Sequence, residues 1–273
     1  VFPKRYFSLI GLIIGSMAPD FEYFLRMRIS STIGHSLHGM FLFDLPLGLL
    51  FAHVFFYTIS EDLIHNLPKY FRDRLLFITK FDWNESYKEN RLVVMYSIVL
   101  GAATHILWDG FTHKSGYFVL QYGFLSSYIN IFSCSVGVYK ILQHASTLIS
   151  GVFLLLLISK LKPEERLEQK NISIYWVRVI IIGFCIAFFR IILGGFGGIG
   201  TFIVTCIAAG LYALILTPLI FRQKLSWFFI LKDWYVLEHY IYFIFQHCLP
   251  ERILRIVMAY LFAEFKVEEF VGI

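Results

Sequence analysis

The sequence predicts an all-α fold: a polytopic membrane bundle of about six transmembrane helices, followed by amphipathic helices lying in the interface. Three observations carry this. Of 273 residues, 58% are hydrophobic and only 16% charged, whereas a soluble domain keeps roughly a quarter of its residues charged. The mean hydropathy is +0.69. The apolar residues gather into stretches of membrane-crossing length bounded by charge, which is the signature of spanning helices rather than of a buried core.

The predicted spans run from Tyr6 to Ala18, His38 to Ser60, Leu92 to Phe111, Ile141 to Ser159, Ile174 to Leu193 and Ile199 to Phe221. The chain begins with Val1, so a short preceding segment is expected. Lys4, Arg5 and the following apolar run resemble a secretory signal, but Pro19 directly after Ser16-Met17-Ala18 argues for a retained first helix. Arg190 sits near the end of the fifth span, where it can snorkel. Ser115 to Tyr139 carries no charge and is rich in Gly, Ser and Asn, which predicts a re-entrant or surface loop. GGFGGIG at 194–200 formally contains G-x-G-x-x-G, but it joins two spans and predicts a tight hairpin, not a dinucleotide site.

Two regions follow from this pattern: residues 1–221, a transmembrane helical domain, and residues 222–273, an amphipathic interfacial region. In the second, Trp227 to Cys248 and Glu251 to Phe265 flank Pro250 and mix aromatics with charge. They fit a helix pair in the membrane interface or a docking surface for a protein partner. The four cysteines form no C-x-x-C pair and no disulfide framework; Cys185 and Cys206 are expected to be small buried hydrophobes.

Lys and Arg counts orient the chain. Lys4, Arg5, the loop from Glu61 to Arg91 and the loop from Lys160 to Asn171 fall on one side, which predicts cytoplasmic termini in a bacterial inner membrane. The first of these loops balances six basic against six acidic residues. That is a solvated face and excludes a nucleic-acid patch.

The other side holds the chemistry. APDFEYF (18–24), GHSLHGMFLFDLP (34–46), GAATHILWDGFTHKSG (101–116) and LQHAS (142–146) together supply Asp20, Glu22, His35, His38, Asp44, His105, Asp109, His113 and His144. At a rise of about 1.5 Å per residue, Asp20 lies about 22 Å from Arg5 and His105 about 21 Å from Arg91. Asp44 lies about 25 Å from Glu61 and His144 about 24 Å from Lys160, so four helices deliver polar groups to one level. His105, Asp109 and His113 recur every fourth residue and share a helix face. Ionisable groups at membrane depth must face the interior and be paired. A divalent cation would pair several carboxylates while accepting neutral imidazoles, and mixed His and Asp ligands suit zinc first, then manganese or iron. A metal-free polar network or an ion path is the competing explanation. His53 and His65 are expected to be core histidines with ordinary hydrogen-bond partners.

On these four motifs the sequence resembles a family of bacterial polytopic membrane proteins known only as a domain of unknown function. That family is distantly similar to the predicted LexA-regulated, membrane-bound metal-dependent hydrolases, which carry a comparable P-D-x-[DE] turn, a His-Ser pair and an H-x-x-x-D helix. The resemblance implies Asp20, Glu22, His35, His105, Asp109, His113 and His144 as site residues, and a Ser-His-Pro segment ahead of Val1. His38 stands outside the pattern.

The reading that results is a metal-dependent hydrolase embedded near the extracytoplasmic leaflet, acting on a lipid-linked phosphoester or ester. Asp20, His105 and Asp109 would bind metal, with His35 or His144 completing the set and Glu22 or His113 as general acid or base; His38 and Asp44 rank lower. Membrane lipids are the expected partners, with a protein partner at the C-terminal region. The alternative is a non-enzymatic scaffold or accessory subunit held together by a structural polar cluster.

Overall fold

The computed structural model describes residues 6–132, 134–164 and 172–221. They are nearly all helical: α1 (Leu9–Met17), α2 (Phe21–Arg26), α3 (Leu37–His65), α4 (Lys69–Leu75), α5 (Trp83–Glu89), α6 (Arg91–Thr112), α7 (Tyr117–Gln121) and α8 (Gly123–Ser126) precede a two-stranded hairpin. The hairpin pairs β1 (Tyr128–Ile131) antiparallel with β2 (Cys134–Gly137), and α9 (Val138–Lys160), α10 (Ile172–Gly194) and α11 (Ile199–Phe221) follow. The C-terminal amphipathic pair lies outside the described residues.

Among the described residues, five helical stretches are long and apolar enough to cross a membrane: Leu37–His65, Arg91–Gln121, Val138–Lys160, Ile172–Gly194 and Ile199–Phe221. They match five of the six predicted spans. The first expected span is instead a nine-residue helix that tightens through a 3-10 turn (Ala18–Asp20) into α2. Pro19 is tolerated because it stands at the start of that turn, where no helical N–H is required. Met27, in the left-handed region at φ 49°, ends α2. Its carbonyl accepts from Thr205 Oγ1 of α11 at 2.9 Å, so the strained turn is pinned from across the bundle.

Glycine decides the central crossing. A Cβ at Gly15 would lie 2.1 Å from the Ile98 carbonyl oxygen, and one at Gly101 would lie 2.4 Å from that of Leu12. Gly11 and Gly15 form a G-x-x-x-G face on α1, so the two backbones meet directly. Ser8 caps α1 through Gly11 N–H and donates its own N–H to Ser97 Oγ at 3.0 Å, locking the register. Ile14, Ala52, Trp83, Val94 and Ile98 make the apolar core around this crossing, and Ala18, Phe21, Phe43 and Leu47 make a second beside it.

α3 starts at Ser36, whose Oγ accepts from Gly39 N–H, and carries two π turns, at Met40–Asp44 and Phe55–Ile59. Such turns mark places where a helix departs from regular packing, often at functional sites. The first places Asp44 inside.

The glycine-rich link at 194–200 is a tight α10–α11 connection, with Gly195, Gly197 and Gly198 all at positive φ. Cys185 and Cys206 are exposed, against expectation. An all-apolar run does not distinguish a face that meets protein from one that meets lipid. His53 is as expected: its Nδ1 bonds the Leu49 carbonyl at 2.8 Å.

Replacing Gly15 by leucine should break the α1–α6 contact. Overpacking commonly costs about 1–3 kcal/mol, and here backbone blocks relief. An SDS-titration unfolding curve should shift to markedly lower denaturant; an unchanged midpoint would contradict the close crossing.

Candidate metal centre

The α1–α6 crossing carries the 3-10 turn after α1 alongside the last two turns of α6. Asp20 therefore meets His105: Asp20 Oδ1 and His105 Nε2 are 3.7 Å apart. The loop after α2 brings a third group, with His35 Nε2 3.6 Å from the same Asp20 oxygen. Asp20, His35 and His105 each offer a ligand atom within 4.8 Å of the others. Asp109, one turn beyond His105, places Oδ2 3.3 Å from both imidazole Nε2 atoms.

Hydrogen bonds behind the rings determine which nitrogen carries the proton. His105 Nδ1 lies 2.7 Å from the Ser16 carbonyl, which can only accept, so Nδ1 carries a proton and, in the neutral ring, Nε2 holds the lone pair. Nε2 is buried and has no hydrogen-bond partner among the described residues. His35 follows the same logic by a longer route. Ser31 Oγ donates to Glu22 Oε2 at 2.7 Å and so accepts from His35 Nδ1 at 3.0 Å. Both Nε2 atoms and Asp20 Oδ1 thus converge within 4.8 Å of one another, and Asp109 Oδ2 stands beside the two imidazoles but outside that set of three. Facing lone pairs repel unless a cation or added protons stand between them.

The spacing fits a small ion. Ligands about 2.0–2.2 Å from a tetrahedral centre stand about 3.3–3.6 Å apart, and the four carboxylate–imidazole separations here run from 3.3 to 3.7 Å. Two imidazoles and a carboxylate, with Nδ1–H bonds to a carbonyl and a hydroxyl behind the rings, are a set of residues that could hold a metal ion.

Glu22 performs a different task from the acid–base role expected of it. It is fully buried, and its oxygens accept from Ser31 Oγ, Thr32 N and Oγ1, Ile33 N and Gly34 N, while Arg26 pairs with it at 2.8 Å. Burial alone would raise its pKa, but the backbone bonds from Gly34 and Ile33, with Ser31 and Thr32, pull it down to about 2. Glu22 is an anchored carboxylate that shapes the His35 loop. Gly34 is required there, since a Cβ would come within 2.8 Å of the Pro19 carbonyl oxygen.

The remaining expected residues divide. His113 Nδ1 lies 3.3 Å from Asp109 Oδ1, with its side chain 46% exposed, at the rim. Asp44 is fully buried, both its oxygens lack a hydrogen-bond partner among the described residues, and it lies near enough to interact electrostatically with His105, Glu22 and Asp20. His144 and His38 are exposed and stand outside the group of three. The residues that sequence reasoning passed over are Ser16, Ser31 and the Thr32–Gly34 backbone. Ser31, nine residues after Glu22, carried no pattern that could have marked it.

A family model described as a domain of unknown function, DUF4184, matches residues 1–219, and so covers every element of this site. No curated protein and no solved structure matches the chain.

Removing Glu22 would leave three backbone N–H groups without their acceptor and take from Arg26 its carboxylate partner. Breaking a buried pair of this kind costs about 3–5 kcal/mol, so Glu22→Ala should show that loss in SDS-titration unfolding. A loss below about 1 kcal/mol, the scale of an exposed pair, would refute the anchoring role.

Proposed function

We propose, from the premise that the chain belongs to the DUF4184 family, that this multi-pass membrane protein is a metal-dependent hydrolase. Its centre would be held by Asp20, His35, His105 and Asp109. The observation that carries the reading is the convergence of Asp20, His35 and His105 within 4.8 Å of one another, with Asp109 Oδ2 3.3 Å from both imidazoles, whose Nδ1 atoms are engaged on the far side. The buried, unpartnered Asp44 adds negative charge beside them. Hydrolysis is supported by the resemblance of the P-D-x-[DE], His-Ser and H-x-x-x-D motifs to predicted membrane-bound metal-dependent hydrolases.

When bound, a divalent metal supplies Lewis acidity and lowers the pKa of its water. The protein's own groups do the rest. Ser16 and Ser31 orient the two imidazoles, and Glu22 holds Ser31 in place. Asp109 Oδ1 faces His113 while its Oδ2 faces His35 and His105, which couples the rim histidine to the centre. Half-exposed, His113 is placed to exchange protons with a substrate entering from outside, the position a general acid or base needs. The charge distribution supports cytoplasmic termini and a site in the outer half of a bacterial inner membrane. A lipid-linked phosphoester or ester is the substrate class that matches this depth.

Metal analysis of gently purified protein tests the reading. About one equivalent of zinc, manganese or iron is expected in the wild type, falling at least tenfold in His105→Ala and Asp109→Asn, since second-shell loss alone costs 10–100-fold in affinity. Wild-type protein that stays metal-free after incubation with each ion would overturn the metal centre. The cluster would then be a network of imidazolium–carboxylate pairs, which favours the scaffold. His113→Ala separates the roles: it should retain metal and lose hydrolysis of a lipid phosphoester at least a hundredfold.

A further inference from the structure

The segment from the end of α6 to the start of α9, which takes in α7 at the tail of the apolar stretch Arg91–Gln121, is built unlike a water-exposed loop. Between Lys114 and Lys140 the sequence contains no Asp, Glu, Lys or Arg. It displays Tyr117, Leu120, Tyr122, Phe124, Tyr128 and Phe132 on its surface, with Phe132 fully exposed in the turn between β1 and β2 at φ 52°. Surface patches this apolar mark interaction sites. Tyr and other aromatics gather where a membrane meets water.

We propose that the segment Tyr117–Gly137 is an interfacial anchor that lies in the headgroup region of the bilayer, and that it sets the depth of the Asp–His cluster. Its occupant is lipid. The hairpin runs directly into the spanning helix α9 at one end and is linked to α6 through α7 and α8 at the other; Val138 N–H, at the start of α9, donates to the Ser127 carbonyl at 2.9 Å, closing the hairpin base onto that helix. Its hydrogen bonding also limits its depth. A two-stranded sheet pairs its inner N–H and C=O groups and leaves the outer rows for water or headgroups, so it does not fit the hydrocarbon core, where every such group must be satisfied internally.

The contact with the candidate centre is a backbone one. A Cβ at Gly116 would lie 2.5 Å from the Gly110 carbonyl oxygen and 2.8 Å from that of Asp109. Phe118 stacks on Phe111 with ring centroids 3.9 Å apart. The anchor is therefore wedged against the residue whose carboxylate joins His35, His105 and His113. Wherever the aromatic hairpin settles in the membrane, the cluster settles with it, within reach of headgroup esters. The anchoring itself does not depend on hydrolysis.

Spin labels test this in proteoliposomes of phosphatidylcholine and phosphatidylglycerol. Native Cys134 is exposed and unpaired; with Cys185, Cys206 and Cys248 replaced by alanine it can be labelled alone. Phe132→Cys and, as a water-side reference, Glu85→Cys are made in the background that also carries Cys134→Ala. Labels at 132 and 134 should show a several-fold higher ratio of oxygen to water-soluble nickel-chelate collision than the label at 85, with a shallow depth. A ratio equal to that at 85 would place the hairpin in water and overturn the proposal; so would a depth near the bilayer centre. Metal content, read on the same samples, reports separately on the metal centre, so either idea can fail while the other stands.

Discussion

The contact on which everything else rests is the direct backbone crossing of α1 and α6. Lipid tails are as apolar as leucine, so a membrane bundle gains little from hiding apolar surface and depends on close packing. Gly11, Gly15 and Gly101 let two helices approach until a Cβ on either would strike the other's carbonyls. That approach is what puts the Ser16 carbonyl within 2.7 Å of His105 Nδ1, across 89 residues of sequence. The same contact that holds the bundle together therefore selects the tautomer of the central histidine and aims its lone pair.

A second constraint acts on the loop between α2 and α3. Glu22 draws four consecutive residues, Ser31 to Gly34, around its two oxygens, and Arg26 balances the charge. An ionised carboxylate this deep is affordable only when its lone pairs are filled. Here they are, and the result is a rigid turn that presents His35 to Asp20 and Asp109. The motif APDFEYF thus divides its two acids by environment. Asp20 keeps an oxygen turned toward imidazoles, while Glu22 spends both of its own on the backbone.

Much of this was legible beforehand. Apolar stretches of the right length locate α3, α6, α9, α10 and α11, because a membrane span has to be long and uncharged whatever it packs against. The four-residue spacing of His105, Asp109 and His113 puts them on one face, because helical geometry is local. Depth counting brought Asp20 level with His105, and the two are in contact. The same counting placed His144 level with them, yet it is exposed on α9, since depth along a helix says nothing about rotation around it. The 3-10 and π turns escaped notice because neither has a marked composition. The hairpin at 128–137 read only as an uncharged loop.

By itself, then, the sequence determined the class of the protein, the position of five spanning helices and the inventory of polar groups available to a site. These follow from hydrophobic length and from a period of 3.6 residues, both properties of short chain segments. Which polar groups meet was decided by tertiary structure alone. That depended on a steric allowance at three glycines and on the acceptor capacity of one buried carboxylate, and neither has meaning until distant segments are in contact.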